Sequence, residues 1–431
     1  MYRIPVFRKN VFFFLPLLVL FSCASPPPVR VQEGSTENAA PVPAPVTGGE
    51  TVPSPPAGTG GESVTAPPAA EAPLPEVSRP EVPQPDYLTI VAAGDNLYHS
   101  VMIKDGEQGD YEPVYAEIRN IAEKADIAFI NQETLLAGKD FGFSSYPLFN
   151  TPQAVGRAVA AAGFTVVNQG NNHAMDKGEK AVAATMDFWD TVPGVTVLGV
   201  HRSEEAKNLP VLIKKNNITL GFLSYTYGTN GLPVPADKPW LVSLVNTKTM
   251  AEEIDALRPL CDFLVVSMHW GEEYQSTCSR EQKRLAAFLA EHKVDLVLGH
   301  HPHVIQPVTF IPRPDGGSML CFYSLGNLVS AQTQTLTLLG ALAYVKLEKN
   351  HTLPSQTACS VVITAAGAIP LVTHYEKNYT GFKVYPLYAY TGELAGKHWK
   401  NQTKKELTVD YFTGLAAKVL GGREIMQNPF N

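Results

Sequence analysis

The chain has no run of basic residues and no basic stretch interleaved with aromatics. Its 34 lysines and arginines are outnumbered by 41 aspartates and glutamates, for a formal net charge of −7. Nucleic-acid affinity rests on cations that neutralise phosphates, so neither DNA nor RNA is an expected partner. Cysteine is scarce, with five in 431 residues. Apart from Cys23, those at Cys261, Cys278, Cys321 and Cys359 show neither zinc-finger nor Cys-x-x-Cys spacing. Buried free thiols are therefore expected; a disulfide would need an oxidising compartment, and the spacing does not choose a pairing. No internal repeat is present, which removes solenoids and propellers. The apolar run Val11 to Phe21 is too short to span a bilayer comfortably.

What is there begins with that run. Arg3, Arg8 and Lys9 precede it and Leu20-Phe21-Ser22-Cys23 closes it, the layout of a secretory signal. The closing residues resemble a bacterial lipoprotein signal, although Phe21 is bulky for its position. The resemblance implies removal of residues 1–22, lipidation of Cys23 and an extracytoplasmic, membrane-anchored protein of the bacterial cell envelope. Residues 23–86 are dominated by Pro, Ala, Gly, Glu, Val and Thr without apolar periodicity. Such a segment cannot bury enough surface to offset its ordering entropy and is expected to be a disordered tether. At roughly 3 Å per residue when extended, it would reach well over about 100 Å.

From Tyr87 onward, strand-like apolar runs alternate with helical patterns. Strands are expected at Leu88–Ala93, Ile127–Ile130, Phe164–Asn168, Val195–Leu198, Val211–Ile213, Ile218–Tyr225, Phe263–Met268 and Val294–Leu298. Further strands follow at Val304–Phe310, Met319–Tyr323, Leu342–Leu347 and Ser360–Thr364. Helices are expected at Glu112–Lys124, Pro152–Ala162, Gly178–Trp189, Met250–Leu257 and Arg280–His292. So many β segments exceed one parallel sheet; two mixed sheets packed together with helices outside fit better. A main domain over 87–375 and an extension of open structure over 376–431 complete the organisation.

The chemistry gathers in VLGHHPHVIQPV, Val297 to Val308, where His300, His301 and His303 follow an apolar run that Gly299 is expected to end. Pro302 fixes one φ and is expected to hold an extended turn, letting two imidazoles converge on one cavity. Four other clusters share this placement after an apolar run. They are Asp95 and His99; Asn131 and Glu133; Asn171, Asn172, His173 and Asp176; and His269 with Glu273. Each alone reads equally as a capped or polar turn. Together, carboxylates, amide oxygens and imidazoles are an inventory for divalent transition metals. Ser324 and Asn327 follow another apolar run and read either as a strand-ending turn or as substrate contacts. Trp270, Tyr274, Tyr225 and Tyr227 read as core or rim.

GDNLYH, INQET, NQGNNHAMDKG, MHWGEEY, GHHPHVIQP and YSLGN, with YPLFNTP between the second and third, resemble the CapA family of capsule or poly-γ-glutamate synthesis proteins. The resemblance covers about Tyr87 to Val345. That family is similar to the calcineurin-like metallophosphatases, which implies a four-layer α/β/β/α sandwich around two divalent ions (Mn, Zn or Fe). It further implies metal ligation by Asp95, Glu133, Asn172, His269, His301 and His303, with Glu133 bridging. His173 becomes the general acid oriented by Asp176; Asn131, Glu273 and His300 become candidates for further ligands or supporting groups. One departure stands out. The wider superfamily carries Asp-x-His in its first motif, whereas Leu97 stands at that histidine's place; either His99 partly replaces that ligand or the first ion is weakly held. Glu133 also stands where aspartate is usual. The resemblance implies a metal-dependent hydrolase acting on an anionic envelope polymer or phosphoester. The alternatives are a non-catalytic accessory subunit of a polymer synthesis or export complex, and a polymer-binding module.

Overall fold

The computed structural model describes residues 30–33, 84–106, 110–350, 361–401, 406–424 and 427–430. The signal segment, Cys23, most of the tether and Cys359 lie outside the described residues. The strands are β1 (Arg30–Glu33), β2 (Asp86–Asn96), β3 (Ile127–Gln132), β4 (Val166–Asn168), β5 (Thr196–Leu198), β6 (Val211–Lys215), β7 (Ile218–Thr226) and β8 (Phe263–His269). They continue with β9 (Leu296–His300), β10 (Val308–Pro312), β11 (Ser318–Phe322), β12 (Asn327–Val329), β13 (Leu339–Lys349), β14 (Val361–Glu376) and β15 (Thr380–Pro386). One sheet has the order β1-β6-β7-β8-β9-β11-β10; the other is β15-β14-β13-β2-β3-β4-β5, with β12 paired to β2. Both are mixed. Strands β7-β8-β9-β11 and β2-β3-β4-β5 are parallel; antiparallel partners lie on both sides of the first set and on the β13 side of the second, where β5 is the edge.

Alternation along the strands decides which side chains meet. In β8, Phe263 and Val265 join the larger core whereas Leu264, Val266 and Met268 join the smaller one. In β9, Leu296 and Leu298 face the larger core and Val297 the smaller. Side chains two apart share a face, so His269 and His300 lie on the side between the sheets. The smaller core is sealed by helices Thr247–Leu257 and Arg280–Glu291, through Met250, Ile254, Leu285 and Leu289. The second of these begins in a capping box made by Ser279 and Gln282, which satisfies two otherwise orphaned backbone donors. Helices Ala116–Lys124, Gln153–Ala161 and Glu179–Asp190 bring Ile118, Ile121, Val155, Val159, Phe188 and Trp189 onto the other sheet. The result is a four-layer α/β/β/α sandwich.

Several expectations are corrected. Gly299 does not end its strand: β9 continues through it to His300. Glycine is required there because a Cβ would overlap the Tyr323 carbonyl oxygen of the neighbouring β11 edge. The strand expected from Val304 begins only at Val308, because the turn before it is longer. That turn is not a simple extended one. His301 and His303, on either side of Pro302, have φ of 97° and 60°, conformations that non-glycine residues adopt at a cost and that gather at functional sites. Within the tether, Arg30–Glu33 pairs parallel with Val211–Lys214 at the sheet edge. The extension past Tyr375 is part of the sandwich: β15 pairs with β14, and helix Val409–Leu420 places Phe412, Ala416 and Leu420 in the larger core. Cys261, Cys278 and Cys321 are free thiols; Cys321 is buried as expected, whereas Cys261 and Cys278 are only partly buried. No helix among the described residues is long and apolar enough to cross a membrane.

Candidate metal centre

The parallel strands of both sheets deliver the polar motifs to one place, at their C-terminal ends, as open α/β sheets do. Asp95 comes from the end of β2, Asn131 from β3 and Glu133 from the residue after it. His269 ends β8, His300 ends β9, and His301 and His303 occupy the turn beyond. Gly94 allows the closing contact. A Cβ there would overlap the Gly326 carbonyl oxygen, and the Asp95 N–H donates to that same oxygen at 2.9 Å. The YSLGN turn is thus fastened beside the first motif.

Asp95 and Glu133 are fully buried, and they are treated differently by their surroundings. The Asp95 carboxylate accepts from Asn131 Nδ2 at 2.8 Å and from the His301 backbone N–H at 3.2 Å. Its Oδ2 lies 3.0 Å from His303 Nδ1. Burial opposes the Asp95 charge, but hydrogen bonding and charge interaction with His300 and His303 outweigh it and hold the carboxyl well below its usual range. Glu133 has neither oxygen hydrogen-bonded. Its Oε1 is 3.5 Å from His269 Nε2 and its Oε2 is 3.8 Å from His303 Nδ1. Burial, and then the charges of Asp95, Glu273 and Asp176, raise it well above the ordinary carboxylate value. An unpartnered carboxylate inside a protein is strongly unfavourable unless a cation compensates it.

The imidazoles around Glu133 are suited to that cation. Burial, and then the neighbouring His301, push His269 well down; burial and His303 bring His301 to about 3. Both stay neutral at physiological pH, with lone pairs available for a metal. Glu133, His269 and His301 form one group whose ligand atoms lie within 4.8 Å of one another, and Asp95, Glu133 and His303 form another. Glu133 belongs to both. Asn172 adds an amide oxygen 2.9 Å from His269 Nε2. These residues can hold divalent cations.

Other expected residues are placed differently. His99 joins neither group; its Nδ1 is taken up by backbone, 3.2 Å from the Leu97 carbonyl oxygen and 3.3 Å from the Ala331 nitrogen. Leu97, at the place of the missing histidine, is itself buried. His300 stacks on Phe129 and has Nδ1 3.6 Å from Asp95, behind the carboxylate. The Ser324 hydroxyl turns inward, donating to the Val304 carbonyl at 2.8 Å and accepting the Gly326 N–H; it belongs to the turn. Asn327 Oδ1 lies 3.1 Å from His303 Nδ1, while its Nδ2 donates to Ser330 and Gln332, so it orients an imidazole. Trp270 and Tyr225 are buried in the smaller core. Tyr227 and Tyr274 form the rim, their rings 4.7 Å from His301 and 6.0 Å from His303.

His173 stands beside the cluster with Nδ1 2.8 Å from Asp176 Oδ2. Phe149, from the YPLFNTP stretch, donates its backbone N–H to that oxygen and packs its ring against the imidazole in a T-shaped contact, centroids 4.7 Å apart. Two residues escaped the sequence reading. Asn230 accepts from Asn172 Nδ2 at 3.2 Å and has its own Nδ2 3.4 Å from His173 Nδ1; its Asn-Gly sequence signalled only a turn. Asn168 accepts from Ser224 and donates to Asn131, which donates to Asp95. Its register opposite Asn131 becomes visible only once the strands pair.

The fold and the site together define a two-sheet α/β sandwich protein with a buried carboxylate–imidazole centre. Residues 89–332 match the family of the bacterial capsule synthesis protein PGA_cap, and the chain belongs to that family. It is 27% identical over 272 residues to the PGA biosynthesis protein CapA of Bacillus subtilis (strain 168), covering 62% of this chain and 70% of that one. It is 33% identical over 200 residues to the capsule biosynthesis protein CapA of Bacillus anthracis, covering 46% of this chain and 47% of that relative; the match thus spans about half the latter's length. Among solved structures, a hypothetical protein from Thermus thermophilus aligns over 64% of this chain and 98% of its own at 15% identity, with a TM-score of 0.38.

Proposed function

We propose that this protein is a metal-dependent hydrolase of capsule or poly-γ-glutamate production, acting on a phosphoester or acyl bond of an anionic envelope polymer. One observation carries the reading: the fully buried Glu133, with both oxygens free of hydrogen bonds, stands among two imidazoles and a second carboxylate. Asp95, Glu133 and His303 would hold one ion, and Asn172, His269, His301 and the shared Glu133 the other, as Mn²⁺, Zn²⁺ or Fe²⁺. Bound divalent ions supply Lewis acidity and generate a water-derived nucleophile at neutral pH.

The rest of the chemistry falls to the protein. The water oxygen forms a bond to the phosphorus or acyl carbon while the bond to the leaving group breaks. His173, held through Nδ1 by Asp176, passes a proton from Nε2 to the leaving atom and is reprotonated from the proton released by the water. Tyr227 and Tyr274 border the entrance and would contact the polymer. The short apolar segment Val11–Phe21 and Cys23 favour a lipid anchor on the outer side of a bacterial membrane, within reach of synthase or export subunits.

The test is metal content and turnover of the full chain with added Mn²⁺ or Zn²⁺, on bis-p-nitrophenyl phosphate and on poly-γ-glutamate. Metal-dependent hydrolysis lost in both His173→Ala and His301→Ala, with metal retained in His173→Ala, supports the reading. Absence of metal uptake by the wild type would remove it and leave the accessory subunit.

A further inference from the structure

Glu273 is not among the residues of the inner pair of groups, yet it has a defined relation to them. One ligand atom each of Glu273, His301 and His303 lie within 4.8 Å of one another. The backbone supplies the reason. Gly271 and Tyr274, with φ of 96° and 63°, turn the chain sharply after β8. The Tyr274 N–H then donates to the Pro302 carbonyl oxygen at 2.8 Å. Pro302 stands between the two histidines, so this bond clamps the segment carrying Glu273 onto the turn carrying His301 and His303. Glu273 is exposed, whereas His301 and His303 retain 4% and 2% of their accessible surface. His301 Nδ1 has no hydrogen-bond partner. An exposed carboxylate over two buried imidazoles, one with an unused nitrogen, is a half-shell of ligands facing outward.

The geometry points to an outer cation position formed by Glu273, His301 and His303, through which divalent ions enter the inner centre. It builds on the metal-dependent reading above. His301 and His303 also belong to the inner groups, so the outer position exchanges its ion with them and is filled in alternation with them. A hydrated dication gives up its water reluctantly, and Glu133 is fully buried; an exposed carboxylate at the entrance lets water be replaced by protein ligands in steps. Besides Asp95 and Glu133, Glu273 is the one carboxylate that forms such a group with His303 among the described residues. Glu273 follows β8 and His303 follows the neighbouring strand β9, so the pairing of these two strands brings the carboxylate to the imidazole.

The experiment compares wild type, Glu273→Gln and Glu273→Asp as full chains stripped of metal. Mn²⁺ binding is measured by calorimetry and its uptake by loss of the free-ion electron paramagnetic resonance signal in rapidly quenched samples. Glu273→Gln is expected to slow Mn²⁺ uptake roughly tenfold, with Glu273→Asp between the two. Because Glu273 is exposed, thermal melting of the metal-free variants should match the wild type, separating ligand loss from misfolding. Unchanged uptake and isotherm in Glu273→Gln would overturn the outer position while leaving the inner centre standing. A wild type that binds no Mn²⁺ would overturn both.

Discussion

Oδ2 of Asp176 is shared between the His173 ring, whose Nδ1 lies 2.8 Å away, and the Phe149 backbone N–H, at 2.6 Å. A loop between the second and third motifs therefore fixes the carboxylate, and the carboxylate fixes the imidazole. In the proposed mechanism, the free Nε2 is the one that serves the leaving group.

Removing that proton donor should cost rate without costing metal. His173→Ala is expected to lower kcat by about 10²–10⁴-fold, and Asp176→Asn by about 10–100-fold, with metal content by mass spectrometry unchanged. Equal loss of metal and rate would place His173 among the ligands instead.

Glu133 separates stability from function. Glu133→Gln removes a buried acid whose charged form is disfavoured by burial and which has no hydrogen bond, so the metal-free chain should gain on the order of 1–3 kcal/mol in urea denaturation at neutral pH. The same variant should lose metal-dependent stabilisation. A metal-free variant weaker than the wild type would show that the carboxylate is paired in solution.

His99→Ala tests whether the histidine near the first motif replaces the ligand absent at Leu97. Its Nδ1 is occupied by backbone groups, so metal content should stay at the wild-type level. Stability should fall by about 1 kcal/mol for the lost hydrogen bond. Loss of one equivalent of metal would restore His99 to the centre.

The contact between β14 and the C-terminal extension carries its own pH dependence. His374 and His398 are buried with ring centroids 5.3 Å apart. Burial brings both to about 4 from 6.5; next come Lys383 and Lys397 for His374, and for His398 the neighbouring His374 and then Lys400, opposed by Glu376 and by the Thr373 carbonyl respectively. Both folded values are depressed, so the unfolded chain binds protons first as pH falls. Stability is intact above about 6.5 and declines toward 4, by on the order of 1 kcal/mol per imidazole after allowance for solvent screening. Denaturation midpoints at pH 7 and 5 should differ less in His374→Gln/His398→Asn than in the wild type.

The strand ends were legible because each motif follows an apolar run of strand length, and β3, β8 and helix Arg280–Glu291 lie where periodicity placed them. The turn through His301 and His303 was not legible. Proline alone argues for extended neighbours, whereas His301 and His303 stand at positive φ, with the His301 N–H donating to Asp95 across 206 positions. Asn168 and Asn230 were missed for the same reason, since their partners come from segments distant in sequence.

By itself the sequence determined the inventory: which carboxylates, amides and imidazoles exist, and that each ends an apolar strand, because alternation and turn chemistry are local. Tertiary structure decided which of them meet. It set His301 and His303 toward Glu133, left His300 Nδ1 3.6 Å from Asp95, gave His99 Nδ1 to the backbone and brought Glu273 within reach of His301 and His303. Those outcomes depend on strand register, on close approaches at Gly94 and Gly299, and on burial, none of which is a property of neighbouring residues in the chain.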